Sequence, residues 1–269
     1  MNPGRVPRIG LALGAGGARG WSHIGVLRAL EAEGVRPNVV CGTSIGALVG
    51  AAYASGDLDR LETWVRGLNW TDVLSLVDPT WRGGFIKGVK LIDFFRRHFE
   101  DREIGALGVR YGAVATDLTS GREVTLAEGS VLEAVRASIA LPGIFTPVAR
   151  DGQLLVDGGL VNPVPVSLCR ALGAEVVIAV DLGWAKLGRH RASAEAAMPS
   201  VLEVFVTSMD IMQVRAARSR LAGEPADALV TPLLPGFGTM EFHRAREAID
   251  EGRAAVQRML PLIRQVLED

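Results

Sequence analysis

Gly42-Thr43-Ser44-Ile45-Gly46 constrains the fold of this chain more than any other stretch. It sets one serine between two glycines where an apolar run, Val39-Val40-Cys41, meets an alanine-rich helical pattern. A serine lifted on a sharp strand-to-helix turn needs small flanking residues, because the backbone is strained there and a side chain two positions away crowds whatever approaches the hydroxyl. The helix expected from Ala47 to Ala54 points its positive dipole end at that hydroxyl and favours negative charge developing beside it. The pattern predicts a nucleophile elbow, with Gly42 and Gly46 as its small flanks. The same five residues also fit a glycine-rich turn whose serine merely caps the helix.

A second glycine cluster lies upstream. Ile9 to Leu13 reads as a short buried strand that runs into Gly14-Ala15-Gly16-Gly17-Ala18-Arg19-Gly20, with a helix from about Trp21 to Glu33 stopped by Gly34. Such a loop bares backbone N–H groups for a dinucleotide pyrophosphate, a phosphate or an oxyanion. The phosphate-binding P-loop is excluded, since no Lys followed by Ser or Thr closes the loop. The dinucleotide reading is weakened, because the next strand ends at Val40-Cys41 with no Asp or Glu to hold a ribose hydroxyl. That strand delivers Ser44 instead. Two adjacent strands ending in glycine-rich turns would set the amides of Gly16 and Gly17 beside the Ser44 hydroxyl, where a tetrahedral intermediate needs donors.

A serine hydroxyl needs a base within hydrogen-bond reach. Asp157 stands out among the carboxylates: it lies at the exit of the apolar run Leu154-Leu155-Val156, before Gly158 and Gly159, which free it from steric cover. An ordinary Asp-Gly turn is the competing reading. Of the four histidines, only His190 and His243 follow Asp157, as a Ser-Asp-His order would require. His190 sits in the charged segment Lys186 to Arg191 and reads as solvated, and His243 falls in a helical pattern beside Arg244 and Arg246. His23 reads as a packed helix residue near the glycine loop, and His98, beside Arg96 and Arg97, as solvated. No His or Cys grouping has metal-ligand spacing, and no cofactor is implied.

The loop GAGGARG, the elbow GTSIG and the box DGG, in this order, resemble the patatin-like phospholipase family. The stretches Leu11 to Ala54 and Asp157 to Val166 are most similar to its bacterial RssA-type branch, and RASIALPGIFTPV at Arg136 to Val148 and FHRAREAI at Phe242 extend the likeness over nearly the whole chain. The resemblance implies a Ser-Asp dyad, Ser44 with Asp157, in place of a triad. It also implies an oxyanion side formed by Gly16, Gly17 and Arg19, and a lipid or acyl-ester substrate. One position departs from the family signature: Ala15 stands where a glycine is usual. A low-turnover regulatory or lipid-sensing protein on the same scaffold is the alternative. An aspartate of ordinary pKa, about 4, is a weak base for a hydroxyl and must be desolvated or act by orienting the serine.

Alternating apolar runs and helical patterns predict an α/β chain, and the resemblance makes it a three-layer α/β/α fold with a mostly parallel central sheet, a single domain over residues 1–269. Further strands are expected at Tyr111 to Thr116, Val124 to Leu126 and Val176 to Val180. Ser130 and Glu133 predict a capping box on a helix ending at Leu141-Pro142-Gly143. Helices are expected from about Ser200 to Leu221 and from Glu241 to Leu267, the latter bent or restarted near Pro261, with a surface loop from Trp184 to Pro199. Asp57 to Phe99, with Trp64, Trp70, Trp81 and the basic-edged pattern Val89 to Phe99, reads either as a helical layer on the sheet or as a cap that meets an anionic membrane surface. A formal charge of −1 carries no nucleic-acid signature, and two cysteines, Cys41 and Cys169, both expected buried, imply a reducing compartment. The longest apolar stretch, Val39 to Ala54, is too short to span a bilayer and the N-terminus does not read as a signal peptide. A cytoplasmic protein, peripheral at most at the inner membrane surface, is the expectation.

Overall fold

Short apolar runs bounded by glycine or polar turn residues become the strands of one sheet, and the longer periodic segments become helices on its two faces. The computed structural model describes residues 7–69, 71, 96, 100–183, 198 and 200–268. In chain order it contains β1 (Ile9–Leu13), α1 (Ser22–Ala32), β2 (Val39–Thr43), α2 (Ile45–Ala54), α3 (Leu58–Gly67), β3 (Arg110–Asp117), β4 (Glu123–Leu126) and α4 (Val131–Ser138). There follow β5 (Val148–Arg150), β6 (Gln153–Asp157), α5 (Val166–Ala171), β7 (Val176–Val180), α6 (Val201–Gly223), β8 (Ala228–Val230) and α7 (Ala245–Glu268).

The sheet runs β5-β6-β3-β2-β1-β7-β8, with β4 also on β3. The pairs β3–β2, β2–β1, β1–β7 and β7–β8 are parallel, and β4, β6 and β5 add antiparallel strands at one side. Alternation along the central strands sends side chains to two cores. Leu11, Leu13, Ile178 and Val180 pack with residues of α1, α2, α3, α4 and α7, while Ala12, Val177 and Ala179 pack with α5 and with Ala217 of α6. Helices therefore cover both faces, which is the three-layer arrangement. Because β1 and β2 are parallel neighbours, with Leu13 opposite Gly42, the turns that leave their C-terminal ends lie side by side.

Several boundaries differ from the sequence expectation. The helix after Ser130 ends at Ser138, ahead of Leu141. Ser130 caps it by accepting from the Glu133 amide at 3.1 Å, and the reciprocal capping box forms instead at Ser200 and Glu203. Strands β5 and β8, three residues each, carry too short an apolar pattern to stand out. α7 is a single helix through Pro261, held beyond the proline by buried Ile263 and by Val266 and Leu267 against the core. Trp70, Trp81, the Val89 to Phe99 pattern, His98, His190 and almost all of the Trp184 to Pro199 loop lie outside the described residues. Among the described residues no helix is long and apolar enough to cross a membrane.

Candidate active site

Ser44 occupies the single residue between the end of β2 and the start of α2, with φ 57° and ψ −126°. A non-glycine residue in this left-handed region is strained, and the surroundings must over-determine it. They do so by contact and by hydrogen bonds. A Cβ at Gly42 would sit 2.3 Å from the carbonyl of Gly46, and one at Gly46 would sit 2.1 Å from the Leu13 carbonyl oxygen. Only hydrogen fits in either place, so the turn can close tightly against β1. Ser138, at the end of α4, then pins it: its Oγ accepts from the Ser44 amide at 2.9 Å and donates to the Val114 carbonyl on β3 at 2.6 Å.

Asp157 ends β6, whose antiparallel register puts it opposite Ala115 of β3. Its backbone is tied on both sides, the amide donating to the Ala140 carbonyl at 2.9 Å and the carbonyl accepting from Thr116 Oγ1 at 2.9 Å. The carboxylate is fully buried and holds two donors: Ser44 Oγ donates to Oδ2 at 2.5 Å, and the Gly159 amide donates to Oδ1 at 2.7 Å. Gly158 opens the short 3₁₀ turn Gly158–Leu160 that presents this amide. Burial raises the Asp157 pKa to about 6, outweighing the two hydrogen bonds, which favour the charged form. Asp157 is thus a stronger base than an exposed aspartate and is still ionised at neutral pH.

The glycine loop faces this pair. Its flanking amides are committed to the scaffold: Gly14 donates to the Val180 carbonyl at 3.0 Å, Ala15 to Pro163 at 2.9 Å and Ala18 to Thr239 at 2.8 Å. Among the described residues the amides of Gly16 and Gly17 have no acceptor, and both glycines line the same cavity as Ser44. Ala15, the departure from the family signature, contributes its amide to the scaffold rather than to the cavity. His23 holds the start of the loop: it is fully buried, with Nε2 2.8 Å from the Gly14 carbonyl, and burial lowers its pKa to about 4. A neutral imidazole with its proton on Nε2 donates to that carbonyl. His243 is exposed on the short turn Phe242–Arg244.

Arg19 points elsewhere. It is buried, and its guanidinium donates to the Phe237 carbonyl at 2.7 Å, to Thr239 Oγ1 at 2.6 Å and to Asp210 Oδ2 at 3.1 Å. Its side chain ties the loop to the 237–239 segment and to α6, and Arg19 is not among the residues lining the cavity. Burial lowers its pKa and Asp210 opposes that shift.

Ser44 opens onto a cavity of about 160 Å³. Leu48, Ile139, Leu141, Phe145, Val206 and Met209 give it an apolar lining. Trp21, Trp64 and Phe242 form an aromatic wall, Trp21 meeting Trp64 edge-on at 6.2 Å and Phe242 at 5.9 Å. Trp64 therefore both packs on the core and faces the cavity. Among the described residues the polar side chains in the lining, besides Ser44, are Asp210, Gln213 and Thr239. Among the described residues no three of His, Cys, Asp and Glu come together as metal ligands.

A strained serine on a glycine-flanked elbow, a buried aspartate on its hydroxyl and a glycine loop opposite are accompanied by a match of residues 11–170 to the family model for patatin-like phospholipase. The chain belongs to the patatin-like phospholipase family. An uncharacterized NTE family protein of Mycobacterium tuberculosis is 31% identical over 329 aligned positions, covering 94% of this chain and 91% of the relative. Patatin-like phospholipase domain-containing protein 6 of Homo sapiens is 40% identical over 184 positions, covering 65% of this chain but only 13% of that protein. Among solved structures, VipD from Legionella pneumophila aligns over 96% of this chain and 67% of its own, with a TM-score of 0.49 and 13% identity.

Sequence reasoning passed over four residues of this patatin-like site. Ser138 lies inside the RASIALPGIF stretch, but nothing local marks it as the pin of a turn 94 residues earlier. Thr239 reaches the loop only through tertiary structure. Asp210 and Gln213 carried a legible signal: with Val206 and Met209 they share one helical stripe, at spacings of three and four, in which two polar residues interrupt an apolar face.

Proposed function

We propose that this protein is a serine-dependent lipid acyl hydrolase working through a Ser44–Asp157 dyad. The observation that carries the reading is the 2.5 Å hydrogen bond from Ser44 Oγ to a fully buried carboxylate whose pKa is raised to about 6. Ser44 attacks the ester carbonyl carbon while its proton passes to Asp157 Oδ2. Negative charge on the carbonyl oxygen is received by the amides of Gly16 and Gly17, with Arg19 holding their loop from behind. The proton then leaves with the alcohol, and water cleaves acyl-Ser44, returning the dyad to its starting state.

The apolar lining supports an acyl chain in the cavity, and with it phospholipids, lysophospholipids or related acyl esters as the substrate class. Residues beyond the matched segment contribute to the site: Thr239, Met240 and Phe242 line the cavity and Arg19 binds the 237–239 segment. This supports reading residues 1–269 as one domain. Peripheral membrane contact is supported by exposed Val201, Val204, Ile211 and Met212 on α6, the helix whose other face lines the cavity. A reducing, cytoplasmic setting is supported by Cys41 and Cys169, which are both buried free thiols.

The test is turnover of a panel of p-nitrophenyl esters, lysophospholipids and phospholipids by wild type and Ser44→Ala. Hydrolysis abolished by the substitution supports the reading. Hydrolysis that persists in Ser44→Ala, or no turnover of any ester by wild type, overturns it.

A further inference from the structure

Gln213 lies on α6 one turn beyond Asp210, is 8% exposed and lines the cavity with Ser44. Among the described residues its carboxamide has no hydrogen-bond partner. The polar atoms of Gln213 are not among the fully buried ones that lack a partner, so its carboxamide is open to the cavity, where a polar end among largely apolar side chains suits a small polar occupant such as water. Its position says which part of the reaction that occupant belongs to. The Cα hydrogen of Gly159 is flanked by two polar atoms: Gln213 Nε2 lies 2.6 Å, and Asp157 Oδ1 2.9 Å, from the point a Cβ there would occupy. The carboxamide therefore stands on the Asp157 side of the site, against the very turn whose amide holds that carboxylate. The donor loop for the oxyanion, Gly16 and Gly17, is formed by other elements, and its own anchors are Arg19 and His23.

We propose that Gln213 binds the water that hydrolyses acyl-Ser44 and holds it where Asp157 can take its proton. In this step the water oxygen bonds to the acyl carbon and one water proton goes to Asp157 Oδ2. The C–Oγ bond then breaks, Ser44 Oγ recovers the proton, and the carboxylic acid departs. The carboxamide bonds the water through whichever of its two ends the orientation demands and exchanges no proton. Gln213 serves deacylation and leaves acylation alone, because Ser44 needs no water to attack the ester. The proposal rests on the acyl-serine reading above.

The test compares wild type with Gln213→Met, which keeps the length of the side chain and removes its polar atoms. The substrate is p-nitrophenyl butyrate, mixed rapidly with enzyme, with the acyl-enzyme followed by intact mass. The expected result is an unchanged rate of the p-nitrophenol burst and an acyl-Ser44 lifetime lengthened about tenfold, the loss of one hydrogen bond to the reacting water. The melting temperature is expected to stay level or rise, since no protein partner is abandoned, whereas a structural role for Gln213 would lower it. A lifetime equal to that of wild type overturns the assignment, as does a burst that slows in step with deacylation. Failure of wild type itself to form an acyl-enzyme would overturn the hydrolase reading and this step with it, so the two failures are told apart by the wild-type trace alone.

Discussion

Asp157→Asn is expected to stabilise the fold at neutral pH while removing the base. Burial lifts the Asp157 pKa from 3.8 to about 6, so the folded protein holds a proton between these values that the unfolded chain has released. The sign follows: this group costs nothing below about pH 4, and stability falls as pH rises through the window, reaching a full cost of about 3 kcal/mol above pH 6. Wild-type stability alone would conceal the effect. His23, lowered from 6.5 to about 4, loses stability in the opposite direction as pH falls through an overlapping range. Subtracting the variant isolates Asp157, because His23 is common to both proteins. An asparagine in its place still meets Ser44 and the Gly159 amide, with about 1 kcal/mol lost to poorer hydrogen-bond geometry. Urea unfolding at pH 4 and pH 8 is the assay. The difference between variant and wild type is expected to shift by about 2 kcal/mol in favour of the variant between the two pH values. A difference that stays constant with pH would mean that the carboxylate carries no burial cost, and the argument for a strengthened base would fail.

Three further outcomes follow from the site. kcat/KM for a soluble ester should rise with pH and level off, with an inflection near the Asp157 pKa of about 6, since the ionised carboxylate is the reactive form; a profile flat from pH 4.5 to 8 would contradict it. Ser138→Ala removes both the acceptor of the Ser44 amide and the donor to the Val114 carbonyl. It should cost about 1–3 kcal/mol in urea unfolding and lower kcat more than it raises KM, because the strained turn is held at its own backbone. Arg19→Met removes the cation beside half-buried Asp210 and the hydrogen bonds that hold the 237–239 segment. A loss of about 1–3 kcal/mol in the same unfolding assay is expected, with Asp210→Asn costing clearly less.

The central part of the fold was legible because its strands are short apolar runs closed by glycines, and periodicity reports such strands well. Ile9–Leu13 and Val176–Val180 fall where the pattern put them. Ser44, Asp157 and their glycines were legible for the same reason: each sits at a strand exit, where sequence and geometry coincide. Arg19 was visible as an arginine poorly placed at a helix start, but its partners Phe237, Thr239 and Asp210 are about two hundred residues away, and no local rule joins them. The reciprocal capping box at Ser200 and Glu203 shows the opposite error. The same motif recurs at Ser130, where Asp101 engages the hydroxyl and the Leu132 amide, and only the Ser130 half forms. Strand β8 draws its burial from β7 and α7 rather than from its own three residues, so it left no independent trace.

The central claim is that Asp157 makes Ser44 the one reactive serine of this chain. Labelling with a fluorophosphonate probe followed by peptide mapping tests it most directly. The account predicts a single adduct on Ser44 in wild type and none in Ser44→Ala. It also predicts labelling of Asp157→Asn slowed at least about a hundredfold, the contribution of a positioned general base. An adduct on another residue, labelling that persists in Ser44→Ala, or an Asp157→Asn protein that labels at the wild-type rate would contradict it.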